Sequence, residues 1–139
     1  MLYAESSAVL AWLLAEPRGE QTRQILRSAA VAVSDLTMIE CERTLRRVAR
    51  LDGARAIAVE AGLRQLAGTA SSWIIEAISP AVVDRARQPF PDDAIRSLDA
   101  IHLATALVLR AHAADLEVLS LDDRIRGNAR ALGFRVLPA

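Results

Sequence analysis

Short apolar runs alternate with longer amphipathic segments along the whole chain, and this alternation constrains the fold more than any other feature. The runs predicted as strands lie at Leu2–Ala4, Val31–Val33, Ser72–Ile78, Glu117–Leu119 and Phe134–Leu137. Strands that are separated by helices pair in parallel and are covered by helices on both faces. We therefore predict an α/β fold, namely a three-layer α/β/α sandwich with a central, mostly parallel sheet, as a single domain over residues 1–139.

The intervening segments carry helix start and stop signals. Ser34 and Ser97 are predicted N-caps, Pro80 is suited to a first helical turn, and Gly68 is a predicted stop. The predicted helices cover residues 7–14, 20–30, 35–50, 54–67, a segment from 80, residues 98–114 and 122–132.

Composition excludes several classes of site. All 17 basic residues are arginine, so no catalytic lysine is available, which argues against a phosphoacceptor receiver domain. Cys41 is the only cysteine, so the chain can form neither an intrachain disulfide nor a thiolate zinc cage. The N-terminus lacks a basic n-region and no apolar stretch reaches membrane-spanning length, so we expect a cytoplasmic protein. The net charge of +0 means that any contact with nucleic acid requires a local basic patch.

Four acidic residues recur at comparable places in the predicted fold. Glu5 follows the first strand and Asp122 follows the fourth, each where a helix begins. Asp99 lies in the first turn of an apolar helix, and Glu40 lies at the rim of the helix that follows Ser34. Ligands of open α/β sheets bind beyond the carboxyl ends of the strands, so these acids could converge there.

Each acid also has a purely structural interpretation. Asp99 and Asp122 could interact with helix dipoles, for roughly 0.3–1 kcal/mol each. Glu40 could pair with Arg43, and Glu42 is better explained as an ion pair with Arg46.

As a group, the four carboxylates would repel one another unless a cation held them. Oxygen ligands without cysteine favour Mg²⁺ or Mn²⁺ over zinc, and the chemistry such an ion supports is hydrolysis of a phosphate ester. Ser7 and Ser120 could support the metal site through their hydroxyls. His102 could orient Asp99 or shuttle a proton, or could be a packed core residue.

An arginine cluster on the helix that carries Glu40 has two interpretations as well. It could clamp phosphates near Glu40, or it could be a solvated helix face. Its members are Arg43, Arg46, Arg47 and Arg50.

Four stretches together resemble a PIN domain of the VapC-like toxin type, in the order that the family shows. These stretches are YAESSAVLAWLL, SDLTMIECERTLRR, PFP…SLDAIHLATAL and VLSLDDRIRGNARALGFRVLP. The resemblance implies a metal-dependent endoribonuclease that uses Mg²⁺ or Mn²⁺ and cleaves RNA as the toxin of a type II toxin–antitoxin pair. It also implies a cognate antitoxin protein and a homodimer.

Carried over by motif, the four acids of the family fall on Glu5, Glu40, Asp99 and Asp122. The first is usually Asp, and Glu at this position moves the carboxylate outward by about one bond length, roughly 1.5 Å. The alternative function is a catalytically inactive PIN-like module that binds RNA or a protein. Neither the RNA nor the antitoxin can be identified from the sequence.

Overall fold

Five short strands form one sheet in which every neighbouring pair is parallel. The computed structural model describes residues 1–139. The strands are β1 (Leu2–Ala4), β2 (Val31–Ser34), β3 (Ile74–Glu76), β4 (Glu117–Leu119) and β5 (Val136–Leu137). Their order across the sheet is β3-β2-β1-β4-β5. The parallel sheet predicted from the alternating pattern is therefore confirmed.

Seven α-helices connect and cover the strands. They are α1 (Ser6–Leu13), α2 (Gly19–Arg27), α3 (Asp35–Leu51), α4 (Ala56–Ala70), α5 (Pro80–Ala86), α6 (Ser97–Arg110) and α7 (Asp123–Ala131). A 3₁₀ turn at Gly53–Arg55 precedes α4. None of these helices is both long enough and apolar enough to cross a membrane.

The core lies in two apolar layers, one on each face of the sheet. Leu2 and Ala4 of β1 pack with residues of α1, α3 and α4, whereas Tyr3 packs with residues of α5, α6 and α7. This division follows from the two-residue period of a strand, which points successive side chains to opposite faces. The three-layer α/β/α sandwich is thus confirmed.

Several predicted element ends were wrong. α6 begins at Ser97, and its N-cap is Arg96 rather than Ser97, because the Asp99 carboxylate accepts the Arg96 backbone N–H. α4 continues past Gly68 to Ala70 and ends where Ser71 bonds back to a helix carbonyl. α6 itself stops at Arg110. The predicted strands Ser72–Ile78 and Phe134–Leu137 are shorter because β3 and β5 are edge strands with one neighbour each.

The sheet order places a topological switch point between β1 and β4. The chain goes outward from β1 through β2 to β3 and returns to the other side of β1 as β4, so the connections leave in opposite directions. Such a point opens a crevice beyond the carboxyl ends of the two strands, where α/β folds bind ligands. Glu5 and Ser120 are the first residues after these strands, and the Glu5 N–H bonds to the Leu119 carbonyl.

Candidate metal centre

Glu5 is a buried carboxylate that is surrounded by neutral hydrogen-bond donors. It is the N-cap of α1, and its Oε1 accepts the backbone N–H of Ser7 at 3.0 Å. The hydroxyls of Ser6 and Ser120 each donate to it at 2.7 Å, and the Ser7 hydroxyl donates to Oε2. The residue is only 4% exposed. These donors satisfy the oxygens but carry no positive charge to balance the carboxylate.

Glu40 reaches the same place from α3. Its Oε2 lies 2.8 Å from the Ser6 hydroxyl and 2.7 Å from His102 Nε2. Burial acts to raise the pKa of Glu40, but the hydrogen bonds from His102 and Ser6 and the nearby positive charges outweigh it, so this pKa lies below its ordinary value. Glu40 makes no ion pair with Arg43, so the structural interpretation of Glu40 was wrong.

The Ser6 hydroxyl connects the two carboxylates. It lies within hydrogen-bond distance of both Glu5 Oε1 and Glu40 Oε2. A hydroxyl has a single hydrogen and can donate it to only one of these oxygens at a time. The other carboxylate oxygen then faces the Ser6 hydroxyl oxygen with no hydrogen between them, so the lone pairs of these two oxygens repel each other. A bound cation would relieve this repulsion.

His102 is the third member of this cluster. Its ring is 1% exposed, and Nε2 lies 3.9 Å from Glu5 Oε1 in addition to its bond with Glu40. Nδ1 bonds to the Tyr3 hydroxyl at 2.8 Å. His102 therefore contacts Glu40 and not Asp99, so its predicted orientation of Asp99 was wrong. It is both a buried core residue and part of the site.

Glu5, Glu40 and His102 form a compact cluster whose two carboxylates fit a divalent ion. One ligand atom from each lies within 4.8 Å of the other two. Carboxylate oxygens are the ligands that Mg²⁺ and Mn²⁺ prefer, and the hydrogen bond from His102 holds the Glu40 carboxylate in position.

Asp99 and Asp122 lie outside this group of ligand atoms. Asp99 Oδ2 accepts the Arg96 N–H at 3.1 Å, and Asp122 Oδ1 caps α7 by accepting the N–H groups of Arg124 and Ile125. The Arg96 guanidinium lies 3.5 Å from Asp99 and 3.9 Å from Asp122. Both aspartates thus stabilise helix starts, and an arginine rather than a direct contact joins them.

The two predicted supporting serines both contact Glu5. Ser7 accepts the Leu121 N–H at 2.8 Å, and Ser120 accepts the Asp122 N–H at 3.1 Å. Their hydroxyl oxygens are 3.4 Å apart. They tie α1 to the end of β4, and so hold the Glu5 carboxylate in place at the switch point.

Sequence reasoning missed Ser6, Tyr3 and Arg96. The adjacent Glu5 could have pointed to Ser6, because a second hydroxyl in the first helical turn is available to a carboxylate at the N-cap. No sequence signal places Tyr3 against His102, since the two are 99 positions apart and meet only where α6 packs against β1. No sequence signal directs the Arg96 side chain, which lies between Asp99 and Asp122.

Comparison with known proteins finds matches along nearly the whole chain. The PIN domain family model matches residues 2–131. Ribonuclease VapC46 of Mycobacterium tuberculosis (strain H37Rv) is 34% identical over 137 residues, which covers 98% of this chain and 95% of that protein.

Two solved structures share the fold at low sequence identity. VapC20 of Mycobacterium tuberculosis, described as a toxin that cleaves the sarcin–ricin loop, has a TM-score of 0.63 and 16% identity, with 96% of each chain covered. FitAB bound to an IR36 DNA fragment has a TM-score of 0.69 and 18% identity, with 99% of this chain and 94% of that chain covered. The chain therefore belongs to the PIN domain family, and its resemblance to the VapC-like members is confirmed.

Proposed function

We propose that this protein is a divalent-metal-dependent endoribonuclease that acts as the toxin of a type II toxin–antitoxin pair. The observation that carries the proposal is the meeting of Glu5, Glu40 and His102 at the switch point between β1 and β4. VapC46, the ribonuclease to which the chain is similar, supports the reaction class. The substrate is RNA, and the bond cleaved is an internal phosphodiester.

Glu5 and Glu40 are the residues that would hold Mg²⁺ or Mn²⁺. When bound, such an ion lowers the pKa of a coordinated water and stabilises the charge that develops on the phosphate. Ser6, Ser7 and Ser120 fix the Glu5 carboxylate through their hydroxyls, and His102 fixes Glu40. Preorganised ligands of this kind require little rearrangement when the ion binds.

Asp99 and Asp122 complete the proposed set of four acids. Both lie near the same edge of the sheet, because both contact Arg96 and because Asp122 is tied to Ser120. The Arg96 side chain is two-thirds exposed, so it can leave these carboxylates at little cost. We propose that the two aspartates add negative charge that favours the cation and its water ligands.

The proposed toxin function also implies two protein partners. We propose a cognate antitoxin protein that neutralises the nuclease and a homodimer of this chain. The chain exposes several large apolar side chains, such as Ile39, Val83 and Leu98, which an interface between copies would bury. Light scattering of the purified protein over a range of concentrations tests the dimer.

The decisive experiment compares Glu40→Gln with Glu42→Gln. The first change removes a carboxylate from the site, whereas the second removes an exposed carboxylate two residues away on the same helix. Both variants and the wild type are incubated with a panel of labelled RNAs in EDTA, Mg²⁺ or Mn²⁺, and Mn²⁺ affinity is measured in parallel by titration calorimetry. We expect metal-dependent cleavage by the wild type and Glu42→Gln, and a loss of both cleavage and metal affinity in Glu40→Gln.

An inactive binding module is the alternative function, and the same experiment separates the two. If the wild type binds no metal and cleaves no RNA, the alternative is favoured. Equal cleavage by the wild type and Glu40→Gln would indicate a contaminating nuclease and remove the support for this site.

A further inference from the structure

A cleft lined by four arginines opens directly beside the candidate metal centre. Its volume is about 550 Å³, and its lining includes Ser6, Glu40, Arg43, Arg46, Arg47 and Arg50. Ser6 and Glu40 are also members of the centre itself, so the cleft and the centre are continuous. The inference that follows rests on the proposed nuclease function, because it concerns the substrate of that same site.

The four guanidinium groups have no partners within the protein. All four residues are exposed, and none makes an ion pair or a side-chain hydrogen bond. The ion pair predicted between Arg46 and Glu42 is absent. Other arginines of this chain do have acidic partners, such as Arg23 with Glu20 and Arg135 with Glu117. A concentration of unpaired positive charge on a protein with a net charge of +0 is a local anion-binding surface.

Three of these arginines form a row along α3 that begins at Glu40. Arg43, Arg47 and Arg50 follow Glu40 at intervals of three or four residues, which places them along one face of α3. With a rise of 1.5 Å per residue, the face extends for about 15 Å from Glu40 to Arg50. A single phosphate could contact only the end of this row of arginines that lies nearest Glu40, whereas a polyanion can contact the whole row.

We propose that this arginine cleft binds successive phosphates of the RNA on one side of the scissile bond. Guanidinium groups recognise phosphate oxygens in bidentate fashion and keep their charge at all relevant pH values. Contacts of this kind position the strand without reading its sequence. The cleft therefore sets the register of the RNA, so that an internal phosphodiester reaches Glu5 and Glu40.

An acidic segment of a protein partner fits the cleft less well. Leu10 is the only hydrophobic residue in its lining. Segments that dock as amphipathic helices or as added strands take their specificity from pockets for their side chains, and this cleft provides no apolar pocket. The continuity with the metal centre also favours a ligand whose backbone is itself the substrate.

The test is RNA binding without cleavage. Anisotropy of a labelled single-stranded RNA of about 12 nucleotides, a length near the upper range of common binding sites, is measured in EDTA at several salt concentrations. The triple variant Arg43→Gln, Arg47→Gln, Arg50→Gln is compared with a matched triple variant, Arg64→Gln, Arg87→Gln, Arg130→Gln. Both lose three positive charges, but the matched variant loses exposed arginines outside the cleft.

We expect the cleft variant to bind roughly tenfold more weakly, and its slope of log affinity against log salt to fall by up to about 2, or about 0.7 for each lost phosphate contact. The matched variant should keep the slope of the wild type. Equal losses in both variants, no loss in either, or no RNA binding by the wild type would overturn the proposal. Binding of poly-glutamate but not RNA would overturn it in favour of an acidic protein segment.

The proposal about the cleft and the proposal that the protein is a nuclease can fail independently of each other. A wild-type protein that binds RNA through the cleft but cleaves nothing in Mg²⁺ or Mn²⁺ leaves the cleft proposal standing and removes the proposed function. The binding and cleavage measurements therefore report on the two proposals separately.

Discussion

The Tyr3 hydroxyl lies 2.8 Å from Nδ1 of His102, while Nε2 of the same ring lies 2.7 Å from Glu40. A carboxylate can only accept, so Nε2 carries the hydrogen in this bond. In the neutral ring, Nδ1 then accepts the hydrogen of Tyr3. Burial, and next the negative charge of Glu5, raise the pKa of Tyr3 above its ordinary value, so the phenol keeps that hydrogen. Tyr3 thus sets the tautomer that lets His102 hold Glu40.

Removal of the phenol oxygen by Tyr3→Phe should weaken this arrangement. The substitution leaves the buried Nδ1 without a donor, which costs about 1–3 kcal/mol of unfolding free energy. Urea denaturation measures this loss, and ¹⁵N NMR of labelled histidine shows whether the His102 ring changes tautomer. His112, which is exposed in the turn just after α6, is the only other histidine and provides an internal reference. Unchanged stability and unchanged His102 signals would contradict the role assigned to Tyr3.

The sequence predicted those parts of the site that depend on local position. Glu5 and Asp122 each follow a strand and begin a helix, and in a parallel sheet this alone places them at one edge. Ser34 was correctly predicted as a helix cap, since its side chain accepts the Leu36 N–H two residues away.

The remaining parts depend on packing between distant elements. His102 and Glu40 are 62 positions apart, and the turn of α6 that brings them together is decided by how α6 packs on the sheet. The position of the Arg96 side chain between Asp99 and Asp122 could not be predicted from the sequence, because an exposed arginine side chain can adopt many conformations. The strands predicted at the positions of β3 and β5 were too long. Pairing with a neighbouring strand, and not β propensity alone, decides where an edge strand ends.

Arg96 holds a positive charge between two of the four proposed acids, so its removal should favour a divalent ion. Arg96→Gln removes the charge beside Asp99 and Asp122. Because the side chain is largely exposed, its interactions are worth less than about 1 kcal/mol each. We expect Mn²⁺ affinity to rise roughly two- to fivefold.

Calorimetric titration of the wild type, Arg96→Gln and the control Arg87→Gln with Mn²⁺ measures this effect. Arg87 is exposed and makes no ion pair, so its substitution should leave the affinity unchanged. Weaker binding in Arg96→Gln would mean that the guanidinium orders the two aspartates for the ion rather than competing with it.

Gly19 stands where α2 approaches α1 too closely for a side chain. A Cβ at this position would meet the backbone carbonyl oxygen of Ala11 at 2.3 Å, so Gly19→Ala forces the two helices apart. We expect a loss of about 1–3 kcal/mol in unfolding free energy. The matched change Gly127→Ala lies inside α7 where a Cβ meets nothing within 4 Å, and should stabilise the protein by about 0.5–1 kcal/mol. Thermal and urea denaturation measure both, and equal effects of the two substitutions would contradict the close approach.

Cys41 lies beneath the candidate metal centre and should be chemically inert in the folded protein. The side chain is fully buried on α3, and its sulfur lies 3.9 Å from the Ser6 carbonyl oxygen. Burial, and next the negative charges of Glu5 and Glu40, raise the pKa of the Cys41 thiol. Since only the thiolate reacts, a raised pKa means a slower reaction at every pH below it.

We therefore expect alkylation of Cys41 by iodoacetamide at about pH 8.5, where an ordinary thiol is half ionised, to be at least tenfold slower in the native protein than in urea. Mass spectrometry of timed samples follows the reaction. Because a bound cation would offset part of the charge of Glu5 and Glu40, saturating Mg²⁺ tests which cause dominates. If charge were the main cause, Mg²⁺ would speed the native reaction, whereas no change would identify burial as the dominant cause. A native rate equal to that in urea would show that α3 does not shield this residue.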